Sequence, residues 1–140
     1  MIVLDTNVVS EVLKPNPATT VLDWLASYPA SELFTTSITE AEIRYGVAIL
    51  PAGKKRNALA KAVGEVFLED LEGRILPFDS NCARAYAEIA SKRRALGRPI
   101  SQLDAQIGSI AFSHAATIAT RNTSDFEHCG VPVVNPWRDE

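Results

Sequence analysis

The sequence predicts an α/β fold in which helices cover both faces of a parallel sheet, built as one domain. Three observations predict it. Five short apolar or β-branched runs alternate with longer stretches whose apolar residues recur at helical spacing, the pattern of successive β-α-β units. The chain has 140 residues, enough for one domain to bury a sizeable core. Apolar residues make up 46% and charged residues 22%, a balance that separates a folded globular chain from a disordered one.

Ile2-Val3-Leu4 is an unbroken apolar run and reads as a short buried strand. A short helix is expected over Val8 to Leu13, stopping before Pro15. Pro17 suits the first turn of a second helix, whose Val21, Leu22, Trp24 and Leu25 fall at helical spacing and which Pro29 closes. Leu33-Phe34-Thr35-Thr36 is the second strand. Thr39 to about Leu50 is helical, ending at Pro51. Residues 54 to 72 form a longer helix striped by Leu59, Val63, Val66, Phe67 and Leu71, and Gly73 stands where a helix C-terminus favours glycine. Arg74 to Phe78 is a third strand, which Pro77 places at an edge or ends early. Asp79 or Ser80 caps a helix that runs to Leu96 and stops at Gly97. Ser101 starts another, through Asp104, Ile107, Ile110 and Ala111 to Ala116. Thr117–Thr120 and Val131–Val134 are the last two strands. No internal repeat, low-complexity tract or linker interrupts this order.

The totals exclude several classes. A formal charge of −3 counts against binding nucleic acid by bulk electrostatics. The charge is uneven, however: Lys54, Lys55 and Arg56 form one basic cluster, and Lys92, Arg93, Arg94 and Arg98 another. Each is most simply a solvated helix face, yet a ligand feels the nearby field more than the total. Cys82 and Cys129 lie far apart without C-x-x-C spacing and read as reduced thiols of a cytoplasmic protein. The N-terminus lacks a basic segment followed by a long apolar stretch and cleavage site, so no signal peptide is expected. No apolar run approaches the ~18 residues of a membrane span.

The carboxylates follow the strands. Ligands of a parallel sheet bind at the carboxyl ends of its strands. Asp5 directly follows the first strand, and Glu40 and Glu42 come in the first turn after the second. Asp79 follows the third. Asp104 lies in the first turn of the helix that feeds the fourth strand, and Asp125 comes after that strand, in TRNTSDF. Each has a plain structural use. Thr39-to-Glu42 and Ser101-to-Asp104 match a capping box or its Asp variant, in which the acid favours the helix N-terminus by ~0.3–1 kcal/mol. Asp79 reads as an N-cap only, and Asp125 suits an Asx-turn before Phe126. Asp5 is the exception, with no evident use in folding and a burial cost unless donors or a cation meet it. If several such acids converge, a bound divalent ion offsets their repulsion, and oxygen-only ligands select Mg²⁺ or Mn²⁺. That chemistry suits phosphodiester hydrolysis and needs no histidine. His114 falls late in an apolar helix, and His128 beside Cys129 lacks further ligands.

The segments MIVLDTNVVSEVLKP, SITEAEIRYGV and SQLDAQIGSIAFSHAATIATRNTSDFEHCGVPVVNPW together carry a resemblance over nearly the whole chain. The chain resembles the PIN-domain ribonucleases, specifically the toxins of VapBC-type toxin–antitoxin pairs, and among these the FitB-like branch. DTN after the first strand is moderately specific. The ordered set of DTNV, T-x-x-E-I-R-Y-G, a helix-start Asp and TRN-x-x-DF is highly specific. The resemblance implies a three-layer α/β/α domain over residues 1–140, with a short, mostly parallel central sheet. It implies a cytoplasmic Mg²⁺- or Mn²⁺-dependent endoribonuclease. Asp5, Glu42, Asp104 and Asp125 are its catalytic acids, Asp5 and Asp104 hold the metal, and Thr6, Asn7, Thr120 and Asn122 support them. The motif match favours Glu42 over Glu40. It also implies an RNA substrate, a homodimer, and a cognate antitoxin whose tail occupies the acidic groove and which reads operator DNA in the full assembly. The two basic clusters are expected at the rim of the site, taking the RNA strand.

Three rivals are weighed against this. A haloacid-dehalogenase-type phosphatase needs a second Asp two residues after the first, where Asn7 stands. A receiver-like domain needs paired acids at the first strand and a Lys after a later one. A degenerate PIN-fold domain would bind RNA or a partner without cutting, against which stands the presence of all four acids.

Overall fold

The computed structural model describes Met1–Arg138; Asp139 and Glu140, the last residues of the expected domain, lie outside the described residues. In chain order the regular elements are β1 (Ile2–Leu4), α1 (Thr6–Val12), α2 (Thr19–Ala26), β2 (Leu33–Thr36), α3 (Ser37–Ala48), α4 (Lys54–Glu65), β3 (Ile75–Leu76), α5 (Ser80–Ala95), α6 (Gln102–Ser113), β4 (Thr117–Ala119) and β5 (Val133–Val134). Side chains along a strand alternate between faces. In β1 this sends Ile2 and Leu4 into a cluster with Val8, Val21, Ile43 and Phe67, while Val3 joins Ile107, Ile118 and Phe126 on the opposite side. Both faces of β1 are therefore apolar and both need cover. Helices α1 to α4 supply one layer, and α5 with α6 the other, giving α/β/α.

The strand order is β3-β2-β1-β4-β5, and every pairing is parallel. The chain builds outward from β1 to one edge, then crosses to build the other. The reversal falls between β1 and β4, where the two crossovers leave in opposite directions and open a crevice at the carboxyl ends of the strands. Pro77 follows β3 directly, at the sheet edge, where its missing N–H breaks no ladder.

Several boundaries differ from the sequence expectation, each for a local reason. Helix α1 starts at Thr6, not Val8, because Asp5 caps it: its carbonyl accepts the Val8 N–H (3.0 Å) and its side chain the Thr6 N–H (2.8 Å). Asp5 therefore does have a use in folding. Helix α3 starts at Ser37 because the Thr36 hydroxyl accepts the Thr39 N–H (3.1 Å), so Thr39-to-Glu42 is no capping box and Glu42 falls in the second turn. The expected helix over 54–72 divides into α4 and a wider π-helical turn, Val66–Asp70, which buries Phe67. Helix α6 ends at Ser113, short of Ala116, because Ala115 takes φ +51° and turns the chain into β4.

One buried cation fastens the second layer. Arg93 of α5 is 6% exposed. Its Nε donates to the Arg98 carbonyl (2.7 Å), and its Nη1 donates to the carbonyls of Asp125 and Glu127 (both 2.9 Å). Arg98 pairs with Glu127 at 3.0 Å. Arg93 is therefore not available at a rim for RNA, which corrects the expectation for that one member of the basic cluster; Lys92, Arg94 and Arg98 are exposed. The physical reason is that the turn after β4 has carbonyls with no helical partner, and buried acceptors need donors. Arg93→Met leaves these acceptors short of donors and is expected to lower stability by roughly 3 kcal/mol. Urea denaturation checks this as a lower midpoint at unchanged m; an unchanged midpoint would show that water satisfies the same carbonyls.

Candidate active site

The β1–β4 register places the centre of the site. Leu4 faces Ala119, so the next residues, Asp5 and Thr120, leave the sheet side by side. The Asp5 N–H donates to the Ala119 carbonyl (3.0 Å), continuing the ladder by one step. The Thr120 hydroxyl accepts from Asn7 Nδ2 and from the Asn122 N–H (both 3.1 Å). Its one proton is then directed to Asp5 Oδ2, at 2.8 Å. Asn7 Nδ2 also approaches Asp5 Oδ2 at 3.5 Å, and Asn7 Oδ1 accepts the Arg121 N–H at 3.3 Å. Asp5 is thus 6% exposed and oriented by donors from two strand ends.

Glu42 is set by a second relay. Thr6 donates its hydroxyl proton to Glu42 Oε1 (2.9 Å), so the buried Thr39 hydroxyl, 3.0 Å from Thr6 Oγ1, is the donor in that pair. Glu40 lies elsewhere, paired with Arg44 at 2.8 Å. Asp104 stands in the first turn of α6 behind the Ser101 cap. That helix runs back to feed β4, so its N-terminus lies at the carboxyl edge of the sheet. Asp125 sits in a single 3₁₀ turn, Thr123–Phe126, pinned by the buried Phe126 ring and by Arg93 on its carbonyl. Asp79 caps α5, accepting the Cys82 N–H at 3.0 Å.

Asp5, Glu42, Asp104 and Asp125 all line one pocket of about 430 Å³, with Asn7 and Asn122 beside them. Neither histidine lines it. Of the supporting residues, Thr6, Asn7 and Thr120 bond through their side chains, while Asn122 contributes its backbone N–H. Burial pushes the Asp5 carboxyl up to about 6, against the Thr120 hydroxyl and Thr6 N–H, and the charges of Asp104 and Glu42 add to the rise. Burial also raises Asp104, with the Asp125 charge adding to it. The four acids therefore feel one another in sequence around the wall. Among the described residues, none of the four has a Lys or Arg within ion-pair distance.

This donor set fits a hard cation with a partly aqueous shell: it is all oxygen and, among the described residues, has no ion-paired counter-charge, the Arg93 charge acting on Asp104 only from a distance. It does not form a ready-made protein cage. Among the described residues, no three His, Cys, Asp or Glu side chains group closely enough to hold one ion. The expected close convergence of four acids is corrected to four acids spaced around a pocket. Each is held on its own partner: Asp5 by Thr120, Glu42 by Thr6, Asp104 by the α6 N-terminus and Asp125 by its turn.

The sequence reading missed several residues of this neighbourhood. Glu11 is buried, one helical turn after Asn7, and lines the pocket. The Lys14 ammonium, 3.0 Å away, holds its carboxyl below the usual range, helped by the Ala18 N–H at 3.1 Å. Thr39 completes the Glu42 relay. Arg121 and Trp137 also line the pocket, with the guanidinium carbon 5.1 Å from the ring centroid. The i, i+4 spacing of Asn7 and Glu11 was a usable signal for Glu11; nothing local links residues 121 and 137.

The family model for the PIN domain matches residues 2–131. The chain belongs to the PIN-domain family. This PIN domain is 44% identical over 139 residues to Toxin FitB of Neisseria gonorrhoeae, covering 99% of this chain and 100% of that protein. It is 41% identical over 137 residues to VapC ribonuclease Y4jK of Sinorhizobium fredii, covering 98% of each. The structure of FitAB bound to an IR36 DNA fragment matches with a TM-score of 0.94 and 44% identity, covering 100% of this chain and 98% of that one. The PIN domain here is thus closely related to toxins of the VapC and FitB type. No described helix is long and apolar enough to cross a membrane.

The Asp5 carboxyl gives a pH test. A folded value near 6 against 3.8 unfolded means the native state binds this proton more tightly. Its stabilising contribution is full below about pH 3.8, falls as pH rises through 6, and is flat above. In buffer with EDTA, Asp5→Asn is expected to gain stability relative to the parent by about 3 kcal/mol between pH 4 and 7. Urea titrations across that range check it, and a pH-independent difference would contradict the burial assigned to this carboxyl.

Proposed function

We propose that residues 1–140 act as one PIN domain, a Mg²⁺- or Mn²⁺-dependent endoribonuclease serving as the toxin of a toxin–antitoxin pair in the cytoplasm. The observation that carries this reading is the single pocket lined by Asp5, Glu42, Asp104 and Asp125, none of them neutralised by a side-chain cation among the described residues. Asp5 and Asp104 would hold the ion. When bound, it supplies a polarised phosphoryl oxygen and a more acidic water. Glu42 and Asp125, on either side, orient water through their remaining lone pairs. Thr120 and Thr6 keep Asp5 and Glu42 from turning away, which reduces the side-chain reorganisation left for the reaction.

A partner protein fits the adjoining surface. An apolar groove of about 640 Å³ runs between α1, α3 and α4, past Leu13, Val47 and Leu59, and shares Thr6, Lys14 and Glu42 with the acid pocket. An antitoxin segment lying there can bury apolar side chains and reach an arginine into the carboxylates with bidentate geometry. The relatives FitAB and the promoter-bound VapBC2 of Rickettsia felis, which is 27% identical with a TM-score of 0.80, support a toxin–antitoxin assembly on operator DNA. In it the antitoxin would read the bases, since this chain offers no helix-turn-helix or basic ribbon among the described residues. A homodimer completes the proposal.

The second reading is a PIN domain that binds RNA or its partner without cutting. The observation favouring it is that no three acids stand close enough to ligate one ion. One experiment separates the two. The purified chain is expected to cleave single-stranded RNA with Mg²⁺ or Mn²⁺, to stop with EDTA, and to lose about 10²-fold or more in rate as Asp5→Asn with its fold intact. Metal-independent RNA association without product would establish the binding-only reading, and an Asp5→Asn variant cutting at the parent's rate would remove Asp5 from the site.

A further inference from the structure

Resting on the reading of RNA as this pocket's ligand, the geometry points to Arg121, seated over Trp137, as the cation that takes an RNA phosphate beside the acid pocket. Four carboxylates repel a polyanion, and bound metal neutralises them only at the centre. A strand approaching the pocket needs a fixed positive group on its wall. Two cations line that wall, Lys14 and Arg121. Lys14 is committed to Glu11 at 3.0 Å. Both Glu11 oxygens already accept, Oε1 from Lys14 and Oε2 from the Ala18 N–H, and the Arg121 charge acts on that carboxyl only from beyond ion-pair distance. Arg121 has no carboxylate within ion-pair distance among the described residues. None of the cations of the two basic clusters lines the acid pocket, and three of them have partners elsewhere: Arg93 is buried on carbonyls, Arg98 is paired with Glu127, and Arg56 donates to the Leu50 carbonyl.

The arrangement around Arg121 suits a phosphate in detail. The guanidinium lies at cation–π distance from the Trp137 ring, a contact that uses none of its N–H donors and so leaves them for two oxygens of one phosphate. Trp137 is a firm base. Its backbone N–H donates to Asn135 Oδ1 at 2.9 Å, and its side chain packs against the apolar cluster under β1. The Arg121 backbone is tied to the acids by a single amide. Asn7 Oδ1 accepts the Arg121 N–H, while Asn7 Nδ2 donates to the Thr120 hydroxyl that holds Asp5. Asn7 thus fixes the spacing between this cation and the innermost carboxylate, and that spacing sets where a bound phosphate sits.

The test is the salt dependence of RNA binding, which counts phosphate contacts independently of cleavage. A fluorescein-labelled single-stranded RNA 20-mer of mixed sequence is titrated with the full chain by anisotropy, with Ca²⁺ in place of Mg²⁺ and the RNA shown intact on a gel. Arg121→Gln is expected to weaken binding about tenfold and to reduce the slope of log K against log salt by about 0.7. Arg121→Lys keeps the slope and recovers part of the affinity. Trp137→Ala keeps the slope but binds more weakly, because the guanidinium loses its seat. Thermal melting of each variant verifies that it is folded. An Arg121→Gln chain with the parent's affinity and slope overturns the inference, as does a parent that binds no RNA. A parent that binds RNA but yields no product with Mg²⁺ or Mn²⁺ removes the ribonuclease reading, while the slopes still decide the role of Arg121.

Discussion

The parallel pairing of β1 with β4 is the constraint on which the site depends. Register in a sheet is quantised, and the apolar alternation of Ile2, Val3 and Leu4 between two packed faces permits only one. With Leu4 opposite Ala119, Asp5 must emerge beside Thr120, and the 2.8 Å hydroxyl contact follows. A slip of one residue would turn Val3 toward the cluster that holds Ile2 and Leu4 and turn those two toward the other, against the wrong neighbours, so core packing and site geometry are specified by the same alternation. Asp5 then joins three tasks: it ends the strand, caps α1 and presents a carboxylate at the crevice.

That arrangement costs stability. A carboxyl nearly excluded from water, with Asp104 and Glu42 adding their charge, is held near pKa 6. The donors around it offset only part of the desolvation. Groups kept in such a position against folding stability are more often found where a ligand supplies the missing counter-charge than in purely structural networks. The buried Arg93 offers a contrast within the same molecule. It is equally enclosed, yet its donors meet backbone carbonyls, and it closes a structural account of the turn that carries Asp125.

Much of this was legible in the sequence. The five strands, the order of helices and the edge position of β3 follow from apolar periodicity and from proline and glycine placement, which are local properties. The acids were legible because each follows a strand or opens a helix, so topology alone sends them to one edge. What stayed hidden was non-local. Thr39 reads as a helix-start residue, yet its buried hydroxyl serves Thr6 from 33 residues away. Arg93 reads as part of a solvated basic run, and only the packing of α5 against the turn after β4 shows that it faces inward. Helix starts at Thr6 and Ser37 were misplaced by two residues because Asp5 and Thr36 were read as strand ends, whereas each is also the cap of the next helix. Where strand passes to helix through one residue, as at Asp5, or none, as at Thr36, those two roles fall on one residue.

The acids also differ in how firmly they are held, and the differences follow burial. Asp5 is enclosed and bonded from β1's own continuation and from β4. Glu42 and Asp104 are half-buried, the first on a relay of two threonine hydroxyls and the second on the helix N-terminus. Asp125 is exposed, and its position derives from the backbone of a single turn. A wall graded in this way has one fixed carboxylate at its base and progressively more adjustable ones toward the opening. A ligand entering the pocket therefore meets its geometric definition at Asp5, and the outer acids can close on it through small side-chain rotations without disturbing the sheet. The same gradient explains why the supporting hydroxyls cluster at the inner end: orientation is worth enforcing where a side chain has no water to hold it, and where every lone pair left unmet would cost the fold directly.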